Sequence, residues 1–242
     1  MTTTSPDPTE AVAPPVGALL IDFGGVLTVP IARAFRALGA GAGLDPDDAL
    51  RVLATHAGAR AALVAHERGR LDDEGFEDAF AAALVESGGR VEPRGLLAGL
   101  ATHLDLDEPM VDLVREARAA RIPVALVSNS LGRDCYARVD LDELFDVTVI
   151  SGQVGVRKPS REIYRIACAR LGVDPRECVL VDDLEHNLVG AARLGIRGIL
   201  HRTADESLPR IREALSLPAP TTASRCPPFP PTNQGRRDVR TQ

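Results

Sequence analysis

The sequence has little that would tie it to a membrane, a nucleic acid or an oxidising compartment. No apolar run approaches the roughly 20 residues that span a bilayer, and the first residues lack the basic, apolar and small-residue order of a signal peptide. The net charge of −6 leaves no concentrated basic surface for nucleic acid or anionic lipid. The four cysteines share no metal-ligand or disulfide spacing. We therefore expect reduced thiols in a cytoplasmic protein, with neither a membrane nor a nucleic acid as partner.

Lysine is almost absent. Lys158 is the single lysine among 28 basic residues, and with Pro159 it directly precedes a predicted helix. Arginine and lysine serve equally on a solvated surface, whereas a compact ammonium fits a crowded anion site that a planar guanidinium does not. The start of a helix also favours an anion. This pattern indicates that Lys158 belongs to a tight anion-binding site.

The 242 residues suffice for one large domain or for a core with a smaller insert. Residues 1–16 and 217–242 are rich in proline and lack apolar periodicity, so we predict a flexible leader and a disordered Pro-rich tail. Residues 31–104 read as helices without strands. Asp45 and Asp72 look like N-caps, and Phe76 begins an apolar helical stripe. Residues 66–70 read as a charged turn between two helices. Such a turn could face a substrate, but a solvated turn is the preferred interpretation.

After residue 104 the pattern changes to short apolar strands alternating with amphipathic helices. This alternation predicts an α/β fold, a Rossmann-like doubly wound parallel sheet. The predicted core comprises residues 17–30 and 105–216, and residues 31–104 form a helical cap inserted after the first strand. Such an insert would cover the carboxyl edge of the sheet.

The first predicted strand, the apolar run Leu19-Leu20-Ile21, leads into Asp22 and then into Gly24 and Gly25. Open α/β sheets place their chemistry at the carboxyl ends of strands. A carboxylate there can be a nucleophile, a metal ligand or both. The glycines allow a close backbone approach or a positive φ. An acidic turn after a core strand is the alternative interpretation of this stretch.

Two further strands end in polar residues, Ser128-Asn129 and Asp182-Asp183. Each pair has a structural alternative, an ordinary turn for the first and a helix cap for the second. Taken with Asp22 and Lys158, however, they fit phosphoryl transfer. Asp22 and Asp183 can share a Mg²⁺ ion, which prefers oxygen ligands. Ser128, Asn129 and Lys158 can surround a phosphoryl group, which leaves Asp22 free to attack phosphorus.

With these residues in this order, the chain resembles the haloacid dehalogenase (HAD) superfamily of aspartate-nucleophile hydrolases. The resemblance rests on four motifs in order, at residues 22–28, 127–129, 157–164 and 181–191. It covers about residues 17–215 and is similar to subfamily IA with a C1 cap, in particular to the amino-terminal phosphatase domain of soluble epoxide hydrolase. It implies a Mg²⁺-dependent hydrolase acting on a small phosphorylated metabolite. The implied roles are catalytic for Asp22 and Lys158, metal-binding for Asp22, Asp183 and the Gly24 carbonyl, and phosphate-binding for Ser128, Asn129, Lys158 and Gly25.

One position departs from the family pattern. Most family phosphatases carry a second Asp two residues after the nucleophile, as general acid and base, and here that position is Gly24. General acid–base catalysis contributes about 10² to 10⁴-fold to a rate, so we expect slow turnover.

Three functions follow. The first is a Mg²⁺-dependent phosphatase that forms an aspartyl phosphate, the second a dehalogenase-type hydrolase in which Asp22 attacks carbon, and the third a non-catalytic module that binds a phosphorylated ligand. A receiver domain, which also uses carboxylates and a lysine, is excluded by the order of these residues along the chain. Its acidic pair precedes its lysine, whereas here Asp182-Asp183 follows Lys158.

Overall fold

The computed structural model describes residues 17–218. Its centre is a sheet of five parallel strands in the order β3-β2-β1-β4-β5. The strands are β1 (Ala18–Ile21), β2 (Val124–Ser128), β3 (Val147–Ile150), β4 (Cys178–Asp182) and β5 (Arg197–Leu200). The predicted α/β fold with a parallel sheet is therefore confirmed. The predicted leader, most of the predicted tail and Cys226 lie outside the described residues.

Helices account for most of the remaining chain in this range. Six of them lie between β1 and β2, and the first five are α1 (Ala32–Gly41), α2 (Asp48–Thr55), α3 (Ala57–Glu67), α4 (Asp73–Glu86) and α5 (Leu96–Ala101). The others alternate with the strands: α6 (Glu108–Ala119), α7 (Leu141–Leu144), α8 (Ser151–Val154), α9 (Arg161–Leu171), α10 (Glu185–Ala192) and α11 (Ala204–Ala214). Between β2 and α7 the chain forms a 3₁₀ turn, Asp134–Tyr136.

Both faces of the sheet are covered. Alternate strand residues point to opposite faces, and each set packs on its own pair of helices. Helices α6 and α11 cover the face that carries Leu19, Ile21, Leu126 and Val181. Helices α9 and α10 cover the face that carries Leu20, Ala125, Val127 and Leu180. Because all these strand residues are fully buried, the strands read in sequence as continuous apolar runs.

Helices α1 to α5 leave and rejoin the sheet through two paired segments. Thr28 forms an antiparallel bridge with Leu106. On either side of it, Val29 donates to the Asp105 carbonyl at 2.8 Å and Asp107 donates to the Leu27 carbonyl at 2.9 Å. The apolar side chains of these helices join the core on the α6 face of the sheet. The division of the chain into core and cap stays a prediction.

Local details of α1 to α5 differ from the sequence predictions. Asp72 caps α4 as predicted, accepting from the Gly75 amide at 2.9 Å. Helix α2 starts later than predicted, because Asp45 accepts from the Asp47 amide and shapes the turn before it.

The prediction of a solvated turn at residues 66–70 is wrong for its first half. His66 and Glu67 end α3 and are buried, at 4% and 7% exposure. His66 Nε2 lies 2.8 Å from Asp73 Oδ1 and the His66 ring stacks on Phe76, while Glu67 pairs with Arg157. These charged partners offset the cost of burying His66 and Glu67, although His66 Nδ1 is left without a hydrogen bond. Among residues 17–218 no helix is both long enough and apolar enough to cross a bilayer.

Candidate active site

Three carboxylates meet at the carboxyl edge of the sheet, between the neighbouring strands β1 and β4. Asp22 follows β1, Asp182 ends β4 and Asp183 comes next. One oxygen from each lies within 4.8 Å of the others. Because the chain leaves β1 toward β2 on one side and returns to β4 on the other, this edge is the topological switch point where open α/β sheets bind ligands.

The ammonium group of Lys158 lies among these carboxylates. Lys158 Nζ is 2.6 Å from Asp22 Oδ1 and 2.8 Å from Asp182 Oδ2, and the side chain is only 1% exposed. Burial by itself lowers the pKa of a lysine, but the carboxylates of Asp22 and Asp182 outweigh it and raise the pKa of Lys158 above its usual value. The single lysine of the chain is therefore a buried cation.

Asp182 positions Lys158, a role that the sequence alone did not assign. Its Oδ2 accepts from Lys158 Nζ, and its Oδ1 accepts from the Leu184 amide and from Asn187 Nδ2, both at 2.9 Å. Because Leu184 directly precedes α10, its bond to Asp182 partly confirms the alternative interpretation of Asp182-Asp183 as a helix cap. Both Asp182 oxygens are engaged, and of the three acids only Asp22 and Asp183 line the cavity above this edge.

The crowding of acids makes Asp22 and Asp183 easier to protonate. Burial raises the pKa of Asp22, and the carboxylates of Asp182 and Asp183 raise it further against the opposing effect of Lys158. Burial and the Asp182 charge raise the pKa of Asp183 to about 6. Asp22 is fixed in place because its Oδ1 accepts from the Phe23 amide at 2.8 Å. Three carboxylates around one ammonium leave an excess of negative charge in a buried site.

The loop after β1 uses its two glycines differently. Gly25 has φ +77°, and a Cβ there would lie 2.6 Å from Asp183 Oδ2, so a side chain at this position would collide with the acidic cluster. Gly24 is not in the left-handed region. A Cβ on Gly24 would meet Ile31 Cδ1 at 2.4 Å. The space where the family pattern has an Asp is thus filled by a flexible apolar side chain.

Ser128 and Asn129, at the end of β2, are next to the cluster and held by their own contacts. Ser128 Oγ accepts from the hydroxyl of Tyr136 at 2.9 Å. Asn129 brackets the backbone of Lys158, since its Oδ1 accepts from the Lys158 amide at 2.8 Å and its Nδ2 donates to the Lys158 carbonyl at 3.4 Å. Asn129 therefore fixes the position of Lys158.

A cavity of about 420 Å³ opens over this edge, and its lining includes every predicted site residue except Gly25. The far wall comes from the helices that follow β1. Glu67 and Arg157 form an ion pair in this wall, with Arg157 Nε 2.6 Å from Glu67 Oε2. Burial raises the pKa of Glu67 to about 7, although the Arg157 guanidinium opposes this.

Tyr136, Glu67 and Arg157 were missed from the sequence. No periodic or spacing signal connects Tyr136 to Ser128, or Glu67 to Arg157. Asp182 did carry a signal, because it occupies a strand end beside Asp183.

Comparison with known proteins agrees with this geometry. Residues 16–195 match the family of haloacid dehalogenase-like hydrolases. The phosphoserine phosphatase of Thermus thermophilus is 32% identical over 131 residues, 51% of this chain and 53% of that protein. Bifunctional epoxide hydrolase 2 of Rattus norvegicus is 28% identical over 122 residues, 48% of this chain and 22% of that protein. The matches thus span about half of the first relative and less of the second.

A solved structure shares the fold. The HAD family enzyme bt-2542 of Bacteroides thetaiotaomicron, a wild-type complex with magnesium and inorganic phosphate, has a TM-score of 0.59 at 23% identity. The similarity covers 77% of this chain and 94% of that one. With a family match over most of its length and its four motifs at one sheet edge, the chain belongs to the haloacid dehalogenase-like hydrolase family.

Proposed function

We propose that this hydrolase is a Mg²⁺-dependent phosphatase that acts on a small phosphomonoester through an aspartyl phosphate on Asp22. The observation that carries the proposal is the cluster of Asp22, Asp183 and the Lys158–Asp182 pair at the switch point of the sheet. Such a site combines a nucleophile with a fixed cation. The protein is proposed to work in the cytoplasm, where its buried Cys135, Cys168 and Cys178 stay free thiols.

The residues present fit a magnesium ion. Asp22 and Asp183 offer oxygen ligands, and one Lys158 cannot neutralise three carboxylates that lie within 4.8 Å. Asp22, Asp183 and the carbonyl of Gly24 would hold the ion, which prefers such oxygens and keeps several waters. When bound it would offset the charge of the phosphoryl oxygens. Magnesium and phosphate occur together in the bt-2542 complex, which shares the fold.

The protein residues would divide the reaction between them. Lys158, together with Ser128, Asn129 and the loop at Gly25, would hold the phosphoryl oxygens. Asp22 would attack phosphorus as the ester bond to the leaving oxygen breaks. Water would then attack phosphorus of the aspartyl phosphate and regenerate the carboxylate.

The position of Gly24 limits both steps. No side chain at residue 24 can protonate the leaving oxygen or deprotonate the attacking water, and Ile31 occupies that space. We propose that helices α1 to α5 form a C1 cap, of which α1, α2 and α3 line the cavity where the leaving group would lie. Turnover should therefore be fastest for esters whose leaving groups need no protonation.

A phosphate-release assay tests the proposal. Phenyl phosphate and acetyl phosphate should release phosphate with Mg²⁺ and stop doing so in EDTA. Asp22→Asn should abolish release while its melting temperature stays near that of the parent. Asp112→Asn, an equal change at an exposed position of α6, is the matched control and should be fully active.

Two other results would replace the proposal. Activity in EDTA, with a haloacid as substrate, would support the dehalogenase-type alternative. Binding of phosphate esters without any turnover would support the non-catalytic alternative. The absence of an acid–base side chain at Gly24 favours this alternative.

A further inference from the structure

The cavity above the acidic cluster has two chemically different ends. One end holds Asp22, Asp183 and Lys158. The remaining wall is mostly apolar, contributed by Ile31, Phe35, Leu50, Leu53, Leu63 and Leu131. At about 420 Å³ the cavity lies within the range of small-molecule sites. A phosphomonoester bound to the acidic end would place its organic group against this apolar wall.

Four polar side chains of the wall are engaged in pairs with one another. Glu67 is paired with Arg157, and the hydroxyl of Tyr136 donates to Ser128. Ser130 and His186 also line the cavity. A sugar or amino-acid group has a hydroxyl or charge on nearly every carbon, and burying such groups against leucine and phenylalanine is unfavourable. An apolar group has no hydrogen bonds to water to lose when it is buried against this wall.

The surface pattern points the same way. Within residues 17–218 the exposed large apolar residues are Leu50, Val85, Leu184 and Val189. Leu50, from α2, and Leu184, directly before α10, both line this cavity, at 41% and 45% exposure. Both side chains extend the apolar wall to the rim of the cavity, where an apolar ligand would remove them from water.

We infer that the substrate's organic group is apolar, an aryl or alkyl chain, so that the enzyme selects hydrophobic phosphomonoesters over sugar or amino-acid phosphates. The inference rests on the proposed function, since the phosphate end sets which way the ligand lies. It goes beyond that function because it names the leaving group that the cavity accepts.

A series of para-alkylphenyl phosphates isolates the apolar contact. Adding methylenes at the para position leaves the acidity of the phenol nearly constant, so the leaving group departs equally well throughout the series. Each buried methylene should raise kcat/KM about fourfold until the cavity is filled. Cyclohexylmethyl phosphate should likewise be cleaved at least about tenfold better than glucose 6-phosphate, its hydroxylated counterpart of similar ring size.

Matched variants locate the effect. Leu50→Gln and Leu184→Gln should each flatten the dependence on alkyl length. Val85→Gln and Val189→Gln change equally exposed residues, both at 52%, that do not line the cavity, and should leave the dependence intact. A flat series in the parent protein, or preference for glucose 6-phosphate, would overturn the inference.

A binding measurement separates this inference from the proposed function. Para-alkylbenzyl phosphonates cannot be hydrolysed, and their dissociation constants with Mg²⁺ can be measured by calorimetry. Tighter binding with chain length but no phosphate release from any ester would support the apolar site and contradict the phosphatase. Phosphate release together with length-independent phosphonate binding would contradict the apolar site and leave the phosphatase standing. No binding and no release would contradict both.

Discussion

Restoring a carboxylate at position 24 should turn a slow phosphatase into a faster one for poor leaving groups. The structure shows why this substitution needs a second one beside it. The backbone at Gly24 is not in the left-handed region, so it accepts a side chain, but the new Cβ would lie 2.4 Å from Ile31 Cδ1 and 3.0 Å from Ile31 Cγ1. Gly24→Asp alone should cost about 1–3 kcal/mol of unfolding free energy through overpacking. Ile31→Ala removes both atoms and should recover part of that loss.

The kinetic gain is expected only for substrates that need a proton. In the double variant Gly24→Asp/Ile31→Ala, kcat for alkyl phosphates should rise by up to about 10²-fold, since a positioned general acid contributes about 10² to 10⁴-fold. Aryl and acyl phosphates should gain little in the first step. The parent protein should show an initial burst of leaving group followed by a slow steady state, and the double variant should lose the burst.

The control for this prediction is Gly24→Asn/Ile31→Ala, which has the same shape and cannot transfer a proton. Stopped-flow release of a coloured phenol and a coupled phosphate assay measure both phases, and urea unfolding measures stability. Equal gains in the Asn and Asp variants would refute the acid–base reasoning. So would a parent enzyme whose rate does not depend on the leaving group.

Three further predictions concern the charges around the site. Lys158→Arg should lower kcat about 10²-fold or more although the charge is kept, because a guanidinium does not fit a side chain that is 1% exposed between two carboxylates; equal kcat in the two proteins would contradict this. Asp183→Asn should weaken Mg²⁺ binding about tenfold or more in calorimetry, whereas Asp205→Asn, exposed in the first turn of α11, should not, and equal affinity in all three proteins would exclude Asp183 as a ligand. The folded-state pKa of Glu67, about 7, lies above its usual value of 4.5, so its stabilising effect is complete below about pH 4.5 and is lost as the pH rises through 7. From about pH 5 to about pH 8 the parent should therefore lose about 2–3 kcal/mol of unfolding free energy relative to Glu67→Gln in urea titrations, and parallel pH profiles would show that Glu67 ionises normally.

The sequence predicted the sheet and its acidic edge because both depend on short-range patterns. Continuous apolar runs read as buried parallel strands, and the residue after each run falls at a known edge. Asp22 and Asp183 were found in this way, and the scarcity of lysine singled out Lys158, which proved to be buried. The family resemblance added roles for these residues, and those roles remain proposals.

What the sequence could not predict depends on how helices α1 to α5 pack against the sheet. Glu67 and Arg157 are far apart in the chain, and nothing in the local pattern of either marks an ion pair; residues 66–70 therefore looked like a solvated turn. Ile31 fills the space above Gly24 only because of the path that the chain takes after Thr28. The apolar wall of the cavity likewise comes from leucines that read as ordinary core positions.

Detection of the aspartyl phosphate tests most directly whether Asp22 is the nucleophile. The parent protein, in excess over para-nitrophenyl phosphate and with Mg²⁺, is mixed in ¹⁸O-labelled water, quenched in acid within one turnover and digested for mass spectrometry. We expect a phosphoryl group on the peptide that contains Asp22, and after completion one ¹⁸O atom in the released phosphate and none in Asp22. Label in the Asp22 carboxylate would mean that water attacks its carbonyl carbon, as in the dehalogenase-type alternative. Phosphate release with no phosphorylated peptide at any time would contradict Asp22 as the nucleophile.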